Sequence, residues 1–94
     1  MWLLRSVWSY FFTASGKFWR LAGKYPELAI VLLSEEPDVV LQPPKKEVPK
    51  DYLGPFWIMD NRGIKWRIYI DARKIHDVQR RIREQLLAVD HEQS

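Results

Sequence analysis

Residues 55–71, which read PFWIMDNRGIKWRIYID, decide the fold of this chain. Two apolar segments, 55–59 and 64–70, flank Asp60-Asn61-Arg62-Gly63, and Asx residues followed by glycine between apolar segments indicate a hairpin turn. In the second segment every other residue is apolar, so these side chains share one side of a strand. The sequence therefore predicts a β-hairpin over 55–70 that turns this side to the core.

The segment after the hairpin has the pattern of an amphipathic helix. Asp71 can accept the free amide protons of a first turn, which predicts a helix that begins at Ala72 and runs to residue 88. Apolar residues at helical spacing form one narrow stripe, which consists of Ile75, Val78, Ile82, Leu86 and Val89. We expect this stripe to pack on the hairpin and to make residues 55–89 one ββα unit.

Shorter elements precede this unit. Residues 28–33, LAIVLL, fit a short helix because Pro26 and Glu27 are typical of a helix start, but a buried strand also fits six apolar residues. We favour the helix. Residues 39–41, VVL, predict a short strand, and an edge position would suit it. Residues 42–54 contain three prolines and predict an extended surface linker, without the proline spacing of a PxxP ligand.

The first 24 residues are basic and aromatic. Residues 1–26 carry four basic residues and no acid, and on a helical wheel the apolar side chains of 2–22 fill one broad arc. Such a helix can be the main core element, or it can lie on an anionic membrane surface or in a partner's groove. An acid-free amphipathic segment is also typical of an organelle presequence. Charged residues interrupt every window long enough for a membrane span.

Composition argues against catalysis. The chain has no cysteine, which removes thiol nucleophiles and thiolate metal sites, and it has only two histidines. Its four glycines are scattered, so no phosphate-binding glycine loop exists, and no serine or threonine lies in a recognisable nucleophile motif. We therefore expect no catalytic residues, no metal, no cofactor and no small-molecule substrate.

Two surfaces are candidates for binding a macromolecule. Large rigid aromatics dominate protein interfaces. In the basic, aromatic segment 1–24 the candidate anchors are Trp2, Trp8, Phe12 and Trp19. Basic residues beside flat aromatics are what single-stranded nucleic acid requires, and with Trp57 the candidates are Lys65, Arg67, Tyr69, Arg73, Arg80 and Arg83. The alternative for the helical part of this set is a solvated face with ion pairs Asp77–Arg81 and Arg80–Glu84.

These observations predict a single α+β domain over 1–94, in which an N-terminal and a C-terminal helix cover an antiparallel sheet of two or three strands. With 47% apolar residues in 94, the chain has enough apolar surface for one small core. The predicted function is that of a small accessory or inhibitory protein that binds a protein partner, with a homodimer also plausible. Nucleic-acid binding is the alternative, and peripheral membrane binding is the third. We expect an intracellular, cytoplasmic protein, or an organelle protein if residues 1–24 act as a targeting segment.

Overall fold

A computed structural model of the chain describes residues 16–93. Within them three helices and one three-stranded antiparallel sheet form an α+β fold, as the sequence predicts. The helices are α1 (16–24), α2 (Pro26–Ser34) and α3 (Ile75–Gln93), and the strands are β1 (Val39–Gln42), β2 (Tyr52–Met59) and β3 (Lys65–Asp71).

The second strand of the predicted hairpin, β3, is the centre of the sheet. Strand β3 lies between β1 and β2 and pairs antiparallel with both, with Ile68 opposite Leu41 on one side and Phe56 on the other. The prediction of an edge strand at residues 39–41 is therefore confirmed. The apolar segment 28–33 is helical and lies within α2, with Pro26 at its start.

Several boundaries of strands and helices differ from the prediction. Strand β2 begins at Tyr52, so the last residues of the predicted linker 42–54 belong to the sheet. Helix α3 begins at Ile75 instead of residue 72, because Asp71 first organises a turn. Its carboxylate accepts the backbone N–H of Arg73 at 2.9 Å, and its carbonyl accepts that of Lys74 at 2.9 Å. The helix then continues to Gln93, beyond the predicted end at residue 88.

The core lies between one face of the sheet and the three helices. Ile68 and Ile70 of β3 lie in it, as predicted. Four residues of the α3 stripe belong to the same cluster, namely Ile75, Val78, Ile82 and Leu86. Among the described residues, the largest side chains that are completely buried are Leu33, Ile68, Ile70, Val78, Ile82 and Leu86. Burial of each such side chain stabilises the fold by about 1.5–3 kcal/mol. Helix α1 contributes through Phe18 and Ala22, which are also buried.

Asp60 organises the hairpin turn. Its carboxylate accepts hydrogen bonds from the backbone N–H groups of Arg62 (2.9 Å) and Ile64 (3.0 Å) and from the indole N–H of Trp66 (3.0 Å). The hydrogen bond from Trp66 is the main reason why the pKa of Asp60 falls to about 2. Gly63 follows in the turn with a φ of 85°, a conformation that glycine adopts without steric cost.

Candidate functional site

The candidate site lies on the face of the sheet that points away from the helices, which we call the outer face. Paired residues of antiparallel strands share a face, and successive residues of one strand alternate between faces. The register therefore assigns to the outer face Val40 and Gln42 of β1, Tyr52, Trp57 and Met59 of β2, and Lys65, Arg67, Tyr69 and Asp71 of β3.

Part of the outer face is covered by the chain itself. Strands β1 and β2 run in the same direction on either side of β3, so the connection between them has to cross β3. The side-chain amide of Gln42, an outer-face residue, donates to the carbonyl of Lys46 at 2.7 Å, which puts Lys46 on this side of the sheet and indicates that the connection, residues 43–50, crosses here. Gln42 is consequently only 6% exposed. We call residues 43–50 the crossing segment.

The part of the outer face nearest the hairpin turn is open. Trp57 and Met59 are each 53% exposed, although both are large apolar side chains on a sheet. The ammonium of Lys65 lies 5.9 Å from the centre of the Trp57 ring, and Arg67 is the cross-strand partner of Trp57. We call these four residues, Trp57, Met59, Lys65 and Arg67, the Trp57 corner.

The Trp57 corner carries positive charge that no ion pair of the described residues neutralises. Among the described residues, neither Lys65 nor Arg67 forms an ion pair, and the guanidinium Nε–H of Arg67 donates to the neutral amide of Gln42 at 2.9 Å. The acid at an outer-face position of the strands is Asp71, at the opposite end of β3. Its carboxylate is 8% exposed and is paired with Arg73 at 3.3 Å.

The structure separates the predicted basic residues into two groups. Lys65, Arg67 and Tyr69 lie on the outer face with Trp57. Arg80 and Arg83 lie on α3, which packs on the opposite face. Arg73 lies in the turn before α3, and its guanidinium pairs with Asp71 at the end of β3 that is far from Trp57. Helix and strand faces cannot be related to each other from the sequence without the packing, which is why these residues form one group there.

The ion pairs of α3 also differ from the prediction. Arg80 pairs with Asp77 at 2.8 Å, and Arg81 reaches Glu36 at 2.6 Å in the turn after α2. The predicted pairs Asp77–Arg81 and Arg80–Glu84 are therefore replaced. The partner of Arg81 is 45 residues away along the chain, a distance that helical spacing cannot reveal.

Of the four aromatic anchors predicted in segment 1–24, the structure describes one. Trp2, Trp8 and Phe12 lie outside the described residues. Trp19 is half-buried and stacks on Phe56 of β2, with ring centres 4.6 Å apart and an angle of 13° between the planes. Its indole N–H is buried without a hydrogen-bond partner in the described part of the protein. Trp19 therefore serves the packing of α1 on the sheet.

A concavity beside α2 is a weaker candidate. Its volume is about 320 Å³, and its walls are formed by Lys24, Tyr25, Pro26, Glu27, Leu28, Asn61 and Val89. Its polar groups are committed to internal hydrogen bonds. Asp90 accepts from Lys24 at 2.8 Å and from the Tyr25 hydroxyl at 2.6 Å, and Glu27 accepts the backbone N–H of Asn61 at 2.8 Å. These contacts connect α1, α2 and α3 to one another and to the hairpin turn.

Two residues of the surface escaped the sequence analysis. Met59 could have been found, because it alternates with Trp57 in β2 and strand periodicity gives both residues the same face. Gln42 carried no signal, since a single polar residue at the end of a short strand has no distinctive spacing. Its importance depends on contacts with two segments that are distant in the sequence.

Comparisons with protein-family models, with curated proteins and with solved structures give no match for this chain. In the described part of the protein, no helix is long and apolar enough to cross a lipid bilayer. The function is therefore inferred from the geometry and charge of the surface.

Proposed function

We propose that this protein is a non-enzymatic binding protein that binds single-stranded nucleic acid at the Trp57 corner. The observation that carries the proposal is the position of two cations, Lys65 and Arg67, beside a half-exposed tryptophan on a sheet face, neither of them paired with an acid of residues 16–93. The proposal keeps two of the five predicted basic residues, Lys65 and Arg67. Arg73 and Arg80 are instead in ion pairs with Asp71 and Asp77.

Trp57 supplies the contact to a base. A flat indole on a sheet can stack on any nucleobase, and such stacking contributes about 1–3 kcal/mol for each base. Since the Lys65 ammonium lies over the Trp57 ring, it has to move aside to admit a base. The ammonium can then bind the phosphate of the same nucleotide. Unpaired bases are required, because bases within a duplex are already stacked on each other.

Lys65 and Arg67 supply the contacts to phosphate. Each phosphate contact to a single strand releases counterions, so binding weakens as salt is added, with a slope of log K against log salt of about −0.7 for each contact. Arg67 suits this role because its Nε–H is held by Gln42 while both terminal amino groups remain for a phosphate. Two contacts predict a slope of about −1.4 from this corner alone.

The test is fluorescence anisotropy with fluorescein-labelled oligothymidylate and oligouridylate, titrated at several salt concentrations. We expect binding that weakens with salt. Trp57→Ala should weaken it by about 5-fold to 140-fold, because one stacked base is lost. Leu87→Ala removes a 43% exposed apolar side chain from α3 and is the matched control. It should leave the affinity for both oligonucleotides unchanged.

A second pair of variants tests the charges. Arg67→Ala should make the salt slope shallower by about 0.7, whereas Arg83→Ala removes the same charge from the exposed surface of α3 and should leave the slope unchanged. No binding to either oligonucleotide near physiological salt would refute the proposal. An equal change of the salt slope in Arg67→Ala and Arg83→Ala would show that only net charge matters. That result would also contradict the proposal.

Docking on a protein is the second candidate function, and a separate observation favours it. Trp57 and Met59 are both 53% exposed on the same face, and aromatic residues, methionine and arginine are enriched at the centres of protein interfaces. A small accessory or inhibitory protein would use them as anchors. For this function Trp57→Ala and Met59→Ala should both abolish binding to the partner, with little dependence on salt.

A further inference from the structure

We propose that the crossing segment is a second wall of the same binding surface, with Lys45 and Lys46 as additional phosphate contacts and Gln42 as the residue that positions them. This inference rests on the proposed function, because it extends the path of the single strand beyond the Trp57 corner. The partner it requires is a polyanion with regularly spaced phosphates.

Gln42 connects the crossing segment to the sheet. Its side-chain oxygen accepts from Nε of Arg67 at 2.9 Å, and its side-chain nitrogen donates to the carbonyl of Lys46 at 2.7 Å. Both ends of the amide are therefore used in a site that is only 6% exposed. A buried amide with both hydrogen bonds made fixes the groups on either side of it, because losing one of these bonds leaves a buried polar group unsatisfied.

The positions form a continuous row. Trp57, Arg67 and Gln42 face one another across β2, β3 and β1, and neighbouring strands are about 4.8 Å apart, so the row is about 10 Å wide. The crossing segment follows Gln42 directly, and its Lys46 carbonyl is hydrogen-bonded to the Gln42 side chain at the β1 end of this row. Lys45 and Lys46 are exposed and form no ion pair within residues 16–93.

The charge of the crossing segment favours a polyanion. It contains three lysines and one acid, Glu47, although the longer stretch around it is acidic overall. From the sequence alone these lysines belong to an extended surface linker without a recognisable binding motif. The hydrogen bond between Gln42 and Lys46 brings them to the same face as Lys65 and Arg67, where all four cations can follow one strand of nucleic acid.

The first experiment uses Gln42→Glu. A carboxylate at this position would pair with Arg67 and neutralise it, and it would lose the donor to Lys46, so we expect the salt slope for oligothymidylate to become shallower by at least about 0.7. Gln85→Glu introduces the same change at an exposed position of α3 and is the matched control. Circular dichroism and the midpoint of urea unfolding establish that each variant is folded.

The second experiment uses the double variant Lys45→Gln/Lys46→Gln, in which both side chains are exposed and folding should be unaffected. We expect the slope to become shallower by about 1.4, against no change in a Lys17→Gln/Lys74→Gln control that removes two exposed charges elsewhere. If Gln42→Glu does not fold, the comparison of the two lysine double variants by itself tests the proposal.

The two proposals fail in different ways. Wild-type protein that binds oligothymidylate while the Gln42 and lysine variants keep the wild-type slope would overturn this inference and leave the proposed function standing. Wild-type protein that binds no oligonucleotide would overturn the proposed function itself.

Discussion

Replacing Gly54 by alanine tests how closely β2 and β3 have to approach beneath the outer face. Gly54 lies at the irregularity in β2 between Leu53 and Phe56, with a φ of 146°, which residues with a Cβ rarely adopt. A Cβ placed there would lie 2.6 Å from the backbone oxygen of Ile68 and 2.8 Å from Cδ2 of Tyr69. The first contact is with backbone, so the strands would have to separate.

The magnitude follows from a comparison with Gly63. Gly63 also has a positive φ, 85°, but a Cβ there would meet nothing within 4 Å. Gly63→Ala therefore carries the backbone cost alone, about 1–2 kcal/mol. Gly54→Ala adds the steric overlap, for which a further loss of about 1–3 kcal/mol is typical. We expect a total of about 2–5 kcal/mol for Gly54→Ala.

Urea unfolding, followed by circular dichroism on wild type and both variants, measures the difference. For a domain of this size each kcal/mol also corresponds to about 4–8 °C in melting temperature. A loss for Gly54→Ala no larger than that for Gly63→Ala would refute the reasoning, because the overlap with Ile68 would then cost nothing. Because Tyr69 lies on the outer face, the variant should also weaken any oligonucleotide binding more than Gly63→Ala does.

Two further predictions concern the core and the turn. Leu86→Ala should destabilise the fold by about 2–5 kcal/mol in urea unfolding, since Leu86 is fully buried, whereas Leu87→Ala should change the free energy of unfolding by less than about 0.5 kcal/mol. Asp60 has a folded-state pKa of about 2, below that of the unfolded chain, so its ionised form stabilises the fold above pH 4, and this stabilisation is lost as the pH falls from about 4 to 2. Asp60→Asn should remove this part of the pH dependence, and an unchanged profile of urea midpoint against pH would contradict the assignment.

Much of the fold was predictable because its signals are local. The turn chemistry of Asp60 to Gly63, the alternation of β3 and the apolar stripe of α3 depend on residues within a few positions of one another. The limits of the elements were less certain. Strand β2 extends back to Tyr52 because Tyr52 pairs with Asp71 of β3. The sequence around Tyr52 gives no signal of this pairing.

The candidate site was predictable only in part. Strand periodicity puts Lys65, Arg67 and Tyr69 on one face, and the structure confirms that they share the face opposite the helices. Periodicity could not tell that Arg73 and Arg80 belong elsewhere, since a helix can pack on either face of a sheet. It also could not show that both arginines have acidic partners.

The sequence by itself determined the α+β class, the hairpin, the helix over residues 75–88, and which side of these elements is apolar, because these depend on short-range sterics and on the period of apolar residues. For residues 28–33 it favoured a helix, and the structure decided against the strand. Only the tertiary structure decided which polar sides come together. The crossing of residues 43–50 over β3, the covering of Gln42 and the exposure of Trp57 all result from contacts between segments far apart in the chain. The surface proposed here exists because those contacts, within residues 16–93, leave Trp57 and Met59 exposed at one corner of the sheet.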